Sequence, residues 1–483
     1  MIGCRDWARR GVPPRSRAPE ERAVSDGTWQ RDGNGPPQAH RPRAVSRPSR
    51  RREAAAGIAA TLAAVLFAAC AEDARTGEDG GSGAGGRSTT VTVGTFGVFG
   101  YKQAGLYAEY ERLHPGITIK ESVIERNDAY YPQLLTHLAA GGGLADIQAV
   151  ETGNINEVVT TQADRFVDLS RVKGVRRSDW LPWKWDQATT RSGRTIGLGT
   201  DIGPIAVCYR KDLFAKAGLP TDRESVGRLW AGDWQKYIDT GKRYMARAPA
   251  GTVFTDSAAG IYNASVHAHA ERYYDHRGRP VYRTSRAVKE SWDLAMQAAT
   301  GGLTARLKQF EKPWDQAYAN GRFASVACPP WMLGYIKEKA GAEGADKWDV
   351  AAAPRPANWG GSFITVPKAA RHRTAATALA AWLTAPEQQA KLFGRQASIP
   401  STPASYAMPL VRDARNPYFC GAPTGRIFSA AARAIPTLVI GPKEQQIGTA
   451  FTDVGIPQVE QQGKSPRAGW KAAQKEIDNV VDA

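Results

Sequence analysis

Apolar and polar residues alternate from Thr90, Val91, Thr92 and Val93 to Phe96, the period-two pattern of a strand. A loop rich in glycine and aromatics, Gly97 to Tyr101, comes next. Leu106, Tyr110 and Leu113 then share one helical face until His114-Pro115-Gly116 stops it. Ile117-Thr118-Ile119 opens a second strand. Tyr130, Leu134, Leu135 and Leu138 mark a second helix ended by Gly141-Gly142-Gly143, and Ala145-Asp146-Ile147 opens a third strand.

The stretch Arg194 to Leu219 changes the pattern. Glycines 197, 199 and 203 and Pro204 break an apolar run, and the strand Ile205 to Tyr209 follows with apolar residues on both faces. A strand of that kind belongs inside an α/β layer, covered by helices, rather than at an edge. A short helix then ends at Gly218 and Pro220. Val288, Trp292, Ala295 and Ala299 give an amphipathic helix over Arg286–Thr300, and a further helix is expected from Trp314 to Phe323. Beyond it, Cys328-Pro329-Pro330 forces a turn that places Trp331 at the entry of another helix. Asn358 to Pro367 reads as a strand, and Ala375 to Leu383 as a helix.

Residues 1–46, rich in Pro, Arg, Gly and Ser, carry no apolar periodicity and are expected to be disordered or untranslated. Residues 47–70 combine Arg50-Arg51-Arg52, an apolar run and small residues before Cys70, the layout of a secretory signal. That ending resembles a bacterial lipoprotein signal, which makes Cys70 the expected lipidation site; Phe67 departs from the usual Leu three residues before the cysteine. Residues 71–89, acidic and then Gly/Ser-rich, read as a flexible tether.

The chain has 483 residues, 42% hydrophobic and 23% charged, enough for two or more domains with sizeable cores. Its net charge of +17 does not make it a nucleic-acid binder. Residues 1–69 hold 13 Arg against six acids, and the remainder mixes both signs without a basic cluster. Beyond Cys70 only Cys208, Cys328 and Cys420 remain, so one disulfide at most can form, and the spacing does not say which.

Carboxylates are plentiful, but without spatial pairing no glycosidase-like acid and nucleophile can be assigned. His267 and His269 stand at i and i+2, but no further ligand motif completes a metal site. Gly463-Lys464-Ser465 lacks the upstream glycine of a phosphate loop, and no G-x-S-x-G elbow occurs. Neither metal nor cofactor is expected. Aromatics are the better clue, since twelve Trp lie beyond Cys70. Indole packs on the C–H faces of sugar rings, while the hydroxyls need planar polar partners. Trp331 is the first candidate for stacking. Trp359, beside Gly360-Gly361, is the second, with core packing the alternative for both. Trp180, Trp183 and Trp185 fit packing better. Asp201 and Glu151 are candidate acceptors at strand ends, with solvated loop acids the alternative. Phe99 and Tyr101 follow the first strand and are placed similarly.

These motifs, in this order over about residues 90–480, resemble the bacterial extracellular solute-binding proteins of ABC importers, in the family that takes sugars and oligosaccharides. Gly197 to Gly199, Asp201 and Tyr209-Arg210-Lys211-Asp212 match its hinge crossing; Ala324 to Trp331 and Asn358 to Pro367 match its aromatic ligand element and return strand. The resemblance implies an α/β, two-lobe periplasmic-binding-protein-like fold (type II) with ligand in the interlobe cleft. It also implies a third strand ending at that cleft near Glu151 and Asn154. The expected lobes are discontinuous: 90–202 with 360–402, and 205–356 with 405–483. The expected function is capture of a carbohydrate, an oligosaccharide above all, and delivery to membrane permease subunits by a lipid-anchored monomer on the outer face. Two alternatives stay open: a secreted lipid-anchored enzyme acting on polysaccharide, and the same fold binding a non-sugar polar solute.

Overall fold

The computed structural model describes residues 88–481. The signal, Cys70 and nearly all of the tether lie outside them.

Two sheets organise the chain. The first runs β2-β1-β3-β10-β4, with β1 Thr89–Phe96, β2 Ile117–Ile124, β3 Ile147–Glu151, β4 Gly197–Gly199 and β10 Ser362–Thr365. Its first three strands are parallel, joined by the helices Leu106–Leu113 and Asn127–Ala140, and β10 lies antiparallel between β3 and β4. The second runs β7-β8-β6-β9, with β6 Ala206–Arg210, β7 Val253–Thr255, β8 Phe323–Cys328 and β9 Trp348–Ala352. The strand β6 is internal and fully buried, as its two-faced apolarity requires. Its side chains alternate between cores: Cys208 packs with Val326, Val350 and Trp348, while Val207 and Tyr209 pack with Phe254 and Ala351.

The chain passes between the sheets three times: from β4 to β6, from β9 to β10 through residues 353–361, and after the helix Pro386–Gln396. At the first and third passages, β5 Asp201–Ile202 pairs with β11 Ile399–Pro400 in a short antiparallel ribbon. At the second, Trp359 N–H donates to Gly203 O (2.8 Å) and Gly203 N–H donates to Asn358 Oδ1 (2.9 Å). A Cβ on Gly203 would stand 1.8 Å from Trp359 O, so this approach admits only glycine.

The first sheet draws its strands from residues 89–199 and 362–365, the second from 206–255 and 323–352. Helix Pro386–Gln396, expected with the first lobe, serves both cores: Leu392 packs with Leu198 and Leu379, Phe393 with Cys208 and Val326. Cys208 and Cys328, on adjacent strands with Cα atoms 5.7 Å apart, form the disulfide. Cys420 Sγ donates to Asp346 O. Most of the tryptophan content is structural. Eight of the twelve are buried, Trp180, Trp183 and Trp185 among them. No helix among the described residues is long and apolar enough to cross a membrane.

Candidate functional site

A cleft of ≈ 1270 Å³ opens at the carboxyl ends of β1 and β3, where the chain passes between sheets. Its wall joins Phe96, Phe99 and Asn127 from one side to Phe310, Trp331 and Tyr335 from the other, with Trp359 to Ser362 across the back.

Trp331 occupies the N-cap position of the helix Met332–Ala340, where the preceding prolines deliver it, and its indole stays half-buried at the cleft. Trp359 also faces the cleft, held by its N–H on Gly203 O, while the Gly203 N–H donates to the Asn358 side chain. Phe310, which the sequence pattern does not single out, completes an aromatic wall, with its ring 6.2 Å from Trp331, 6.4 Å from Trp359 and 6.1 Å from Tyr335. It takes a left-handed backbone (φ 65°), unusual for an aromatic residue, and 38% of it is exposed. The Tyr335 hydroxyl is fixed on Asp315.

The polar floor faces that wall. Glu151 caps the helix Thr152–Thr161, accepting from Gly153 N–H. Asp201 Oδ1 accepts from Thr200 Oγ1 (2.8 Å) and Ser362 N–H (2.9 Å), which ties β5 to β10. Asn154 lies on the helix that follows β3, and its Oδ1 accepts from Asn127 Nδ2 (2.9 Å). Burial pushes the Glu151 carboxyl up to about 7, against the pull of Gly153 N–H and the Lys184 charge, and it raises Asp201 as well. Glu460, also on the cleft wall, accepts from Ala258 N–H (2.8 Å), and burial pushes it up to about 7. Arg126 and Lys308 are the basic side chains on the wall, against a majority of carboxylates.

Six of the seven ligand-site candidates therefore line this cleft: Trp331, Trp359, Asp201, Glu151, Asn154 and Phe99. Tyr101 does not. It is 1% exposed and packs with Val91, Leu106 and Tyr107, because the turn after Gly100 folds it back under β1. His267 belongs to a smaller chamber of ≈ 220 Å³ beside the cleft. Its Nδ1 lies 2.7 Å from Asn263 O, and burial holds the imidazole down at about 3. No cluster of three potential metal ligands occurs among the described residues.

The bacterial extracellular solute-binding protein family matches residues 105–417. A solved extracellular solute-binding protein of family 1 is 41% identical, with a TM-score of 0.73, over 81% of this chain and 99% of its own. An ABC-transporter-associated binding protein from B. animalis subsp. lactis Bl-04, solved with β-1,6-galactobiose, is similar in fold at 21% identity and TM-score 0.68, over 81% of this chain and 97% of its own. An arabinooligosaccharide-binding protein of Bacillus subtilis (strain 168) is 23% identical over 329 residues, 64% of this chain and 71% of its own. The chain belongs to the family of bacterial extracellular solute-binding proteins.

Proposed function

We propose that the protein is the binding component of an ABC importer for an oligosaccharide, which it captures by closure about the β5–β11 ribbon and hands to membrane permease subunits without chemical change. The observation that carries this reading is the pairing of two chemistries in one cleft. Trp331, Trp359 and Phe310 offer ring faces, and Glu151, Asp201 and Asn154 offer hydroxyl partners opposite them. A volume of ≈ 1270 Å³ exceeds the roughly 300–1,000 Å³ usual for small-molecule pockets, which favours several sugar units over one. The carboxylate majority on the wall disfavours acidic solutes such as uronates. The arabinooligosaccharide and β-1,6-galactobiose binders among its relatives point the same way.

Thermal-shift screening followed by calorimetric titration tests this, with arabino-oligosaccharides and β-1,6-galactobiose as first probes. Stoichiometric binding that raises the melting temperature, with the saccharide recovered intact, is expected. Turnover of the glycan would replace the reading with an enzyme, and binding of peptides alone would replace the ligand class. Anchoring through a lipidated Cys70 and a monomeric state complete the proposal. Cys70→Ser should release the protein from membranes into the medium, and sedimentation should give a single monomeric species.

A further inference from the structure

Five consecutive residues, Leu307 to Glu311, line the cleft from the side of the second sheet. Two residues of this segment and its lead-in, Arg306 (φ 59°) and Phe310 (φ 65°), take the left-handed backbone that side chains avoid. A segment of that kind keeps its shape only where its surroundings impose it. At its start the backbone is pinned, since Ala305 N–H donates to Thr255 O at 2.9 Å. Beyond Ala305 a side chain takes over the hold, that of Asp256.

Asp256 follows β7 and is 1% exposed. Hydrogen-bond donors rather than a cation surround it. Its Oδ2 accepts from Gln309 Nε2 at 2.7 Å and from Trp314 Nε1, on the helix Lys312–Ala319, at 2.9 Å. Its Oδ1 accepts from Thr255 Oγ1 at 3.3 Å. An indole N–H can only donate, so Oδ2 is an acceptor and the amide atom that meets it is the nitrogen. Gln309 therefore spends its Nε2 inward. Its Oε1 meets no donor among the described residues, and Gln309 lines the cleft. An amide free to turn would offer a ligand either a donor or an acceptor; this one is left with the acceptor.

We infer that Asp256 is a positioning residue which, through Gln309, holds the 307–311 wall in shape and makes it present a carbonyl acceptor to ligand hydroxyls. The inference rests on the carbohydrate reading of the cleft. The 2.7 Å bond to Gln309 has the length of a charge-assisted one, the strong kind that can hold a segment against backbone strain. Phe310, next in the chain, depends on the same hold for its left-handed backbone and so for its place in the aromatic wall.

The test is a double-mutant cycle of Asp256→Leu and Gln309→Met, with Asp256→Asn as the conservative variant and Gly260→Ala in case Asp256→Leu does not fold. A Cβ on Gly260 would stand 2.9 Å from Gln309 Nε2, so that variant dislodges the amide and keeps the acid. In the ligand-free full chain, the Gln309 side-chain amide signals, assigned with Gln309→Met, should exchange slowly with solvent in the parent and in Asp256→Asn. In Asp256→Leu or Gly260→Ala they should exchange fast. Affinity for arabino-oligosaccharides, by calorimetric titration, should fall about tenfold in Asp256→Leu or Gly260→Ala and stay within about threefold of the parent in Asp256→Asn. Adding Gln309→Met to either damaging variant should cost nothing further. Losses that multiply in the combined variant would overturn the route through Gln309. Unchanged affinity in Asp256→Leu or Gly260→Ala would reduce Asp256 to a structural residue, and amide signals that exchange equally fast in parent and variants would overturn the clamp. Absence of any saccharide binding by the parent would instead defeat the carbohydrate reading, and the service to hydroxyls with it, while the amide signals still decide the clamp.

Discussion

The indole of Trp331 stands nearly perpendicular to that of Trp359, with ring centroids 5.7 Å apart and an interplanar angle of 82°, and its Nε1 donates to Trp359 O at 3.3 Å. One ring enters from a helix on the second sheet, the other from the strand returning to the first. The angle between them makes a corner into which a sugar ring can place a face and an edge.

Trp331→Ala should weaken saccharide binding by about 2 kcal/mol or more, a hot-spot loss, with a smaller effect on the ligand-free protein because the indole is half-exposed. Trp314→Ala is the contrast. That indole is 0% exposed and donates to Asp256 Oδ2 at 2.9 Å, so its removal should cost about 3–5 kcal/mol of stability. Calorimetric titration and denaturant melts of both variants check the difference. Equal stability losses would place Trp331 in the core.

Glu460 gives a stability prediction with a definite sign. Its folded-state pKa, about 7, lies above its ordinary value of 4.5, so its contribution is fully present below about pH 4.5 and is lost as pH rises through about 7. At roughly 1.4 kcal/mol for each pH unit separating the two values, the loss is on the order of 3 kcal/mol. Glu460→Gln should therefore match the parent near pH 4.5, gain on it up to about pH 7 and hold that gain above it. A constant difference across that range would contradict the assignment.

The Cys208–Cys328 bond closes a loop with a sequence separation of 120 residues and joins the two middle strands of the second sheet. Its removal, by Cys208→Ala with Cys328→Ala, should lower stability by about 2–5 kcal/mol, chiefly by freeing the unfolded chain. Denaturant midpoints of the double variant, compared with the parent with and without reductant, measure this. A parent indifferent to reductant and equal to the variant would mean that the thiols are not joined.

Gly203→Ala drives a methyl group into Trp359 O, against backbone that cannot swing aside. The Trp359–Gly203 hydrogen bond must break and the aromatic corner must shift. A stability loss of about 1–3 kcal/mol is expected, together with weaker binding, read by the same melts and titrations. Gly334→Ala, on the same cleft wall but with open space around its Cβ position, should leave stability nearly unchanged.

What the sequence makes legible here is order. The alternation at β1, the helix stop at His114-Pro115-Gly116 and the two-faced strand β6 follow from local rules, and the structure places them within a residue or two of where those rules put them. Trp331 was readable for the same reason, since two prolines fix the turn that presents it. Tyr101 was not, because proximity to a strand end says nothing about which way a turn folds its side chain. Phe310 reaches the cleft through a left-handed backbone that no neighbouring glycine or proline announces. Lys184 carries a faint signal, a lysine between two tryptophans just after a helix-starting proline. Its hydrogen-bond partner Thr152, however, lies 32 residues upstream, and only folding brings the two together.

The place of β10 between β3 and β4 also has a consequence for biogenesis. β4 finds its ladder partner only in residues 363–365, and the inner edge of β3 waits for residues 362–365. β6 likewise waits for β8 and β9, more than a hundred residues later. Until about residue 350 has been made, therefore, neither sheet can be completed, and such distant pairings form slowly. Both sheets thus stay open to late-made strands, and the first keeps a gap between β3 and β4 until β10 has been made.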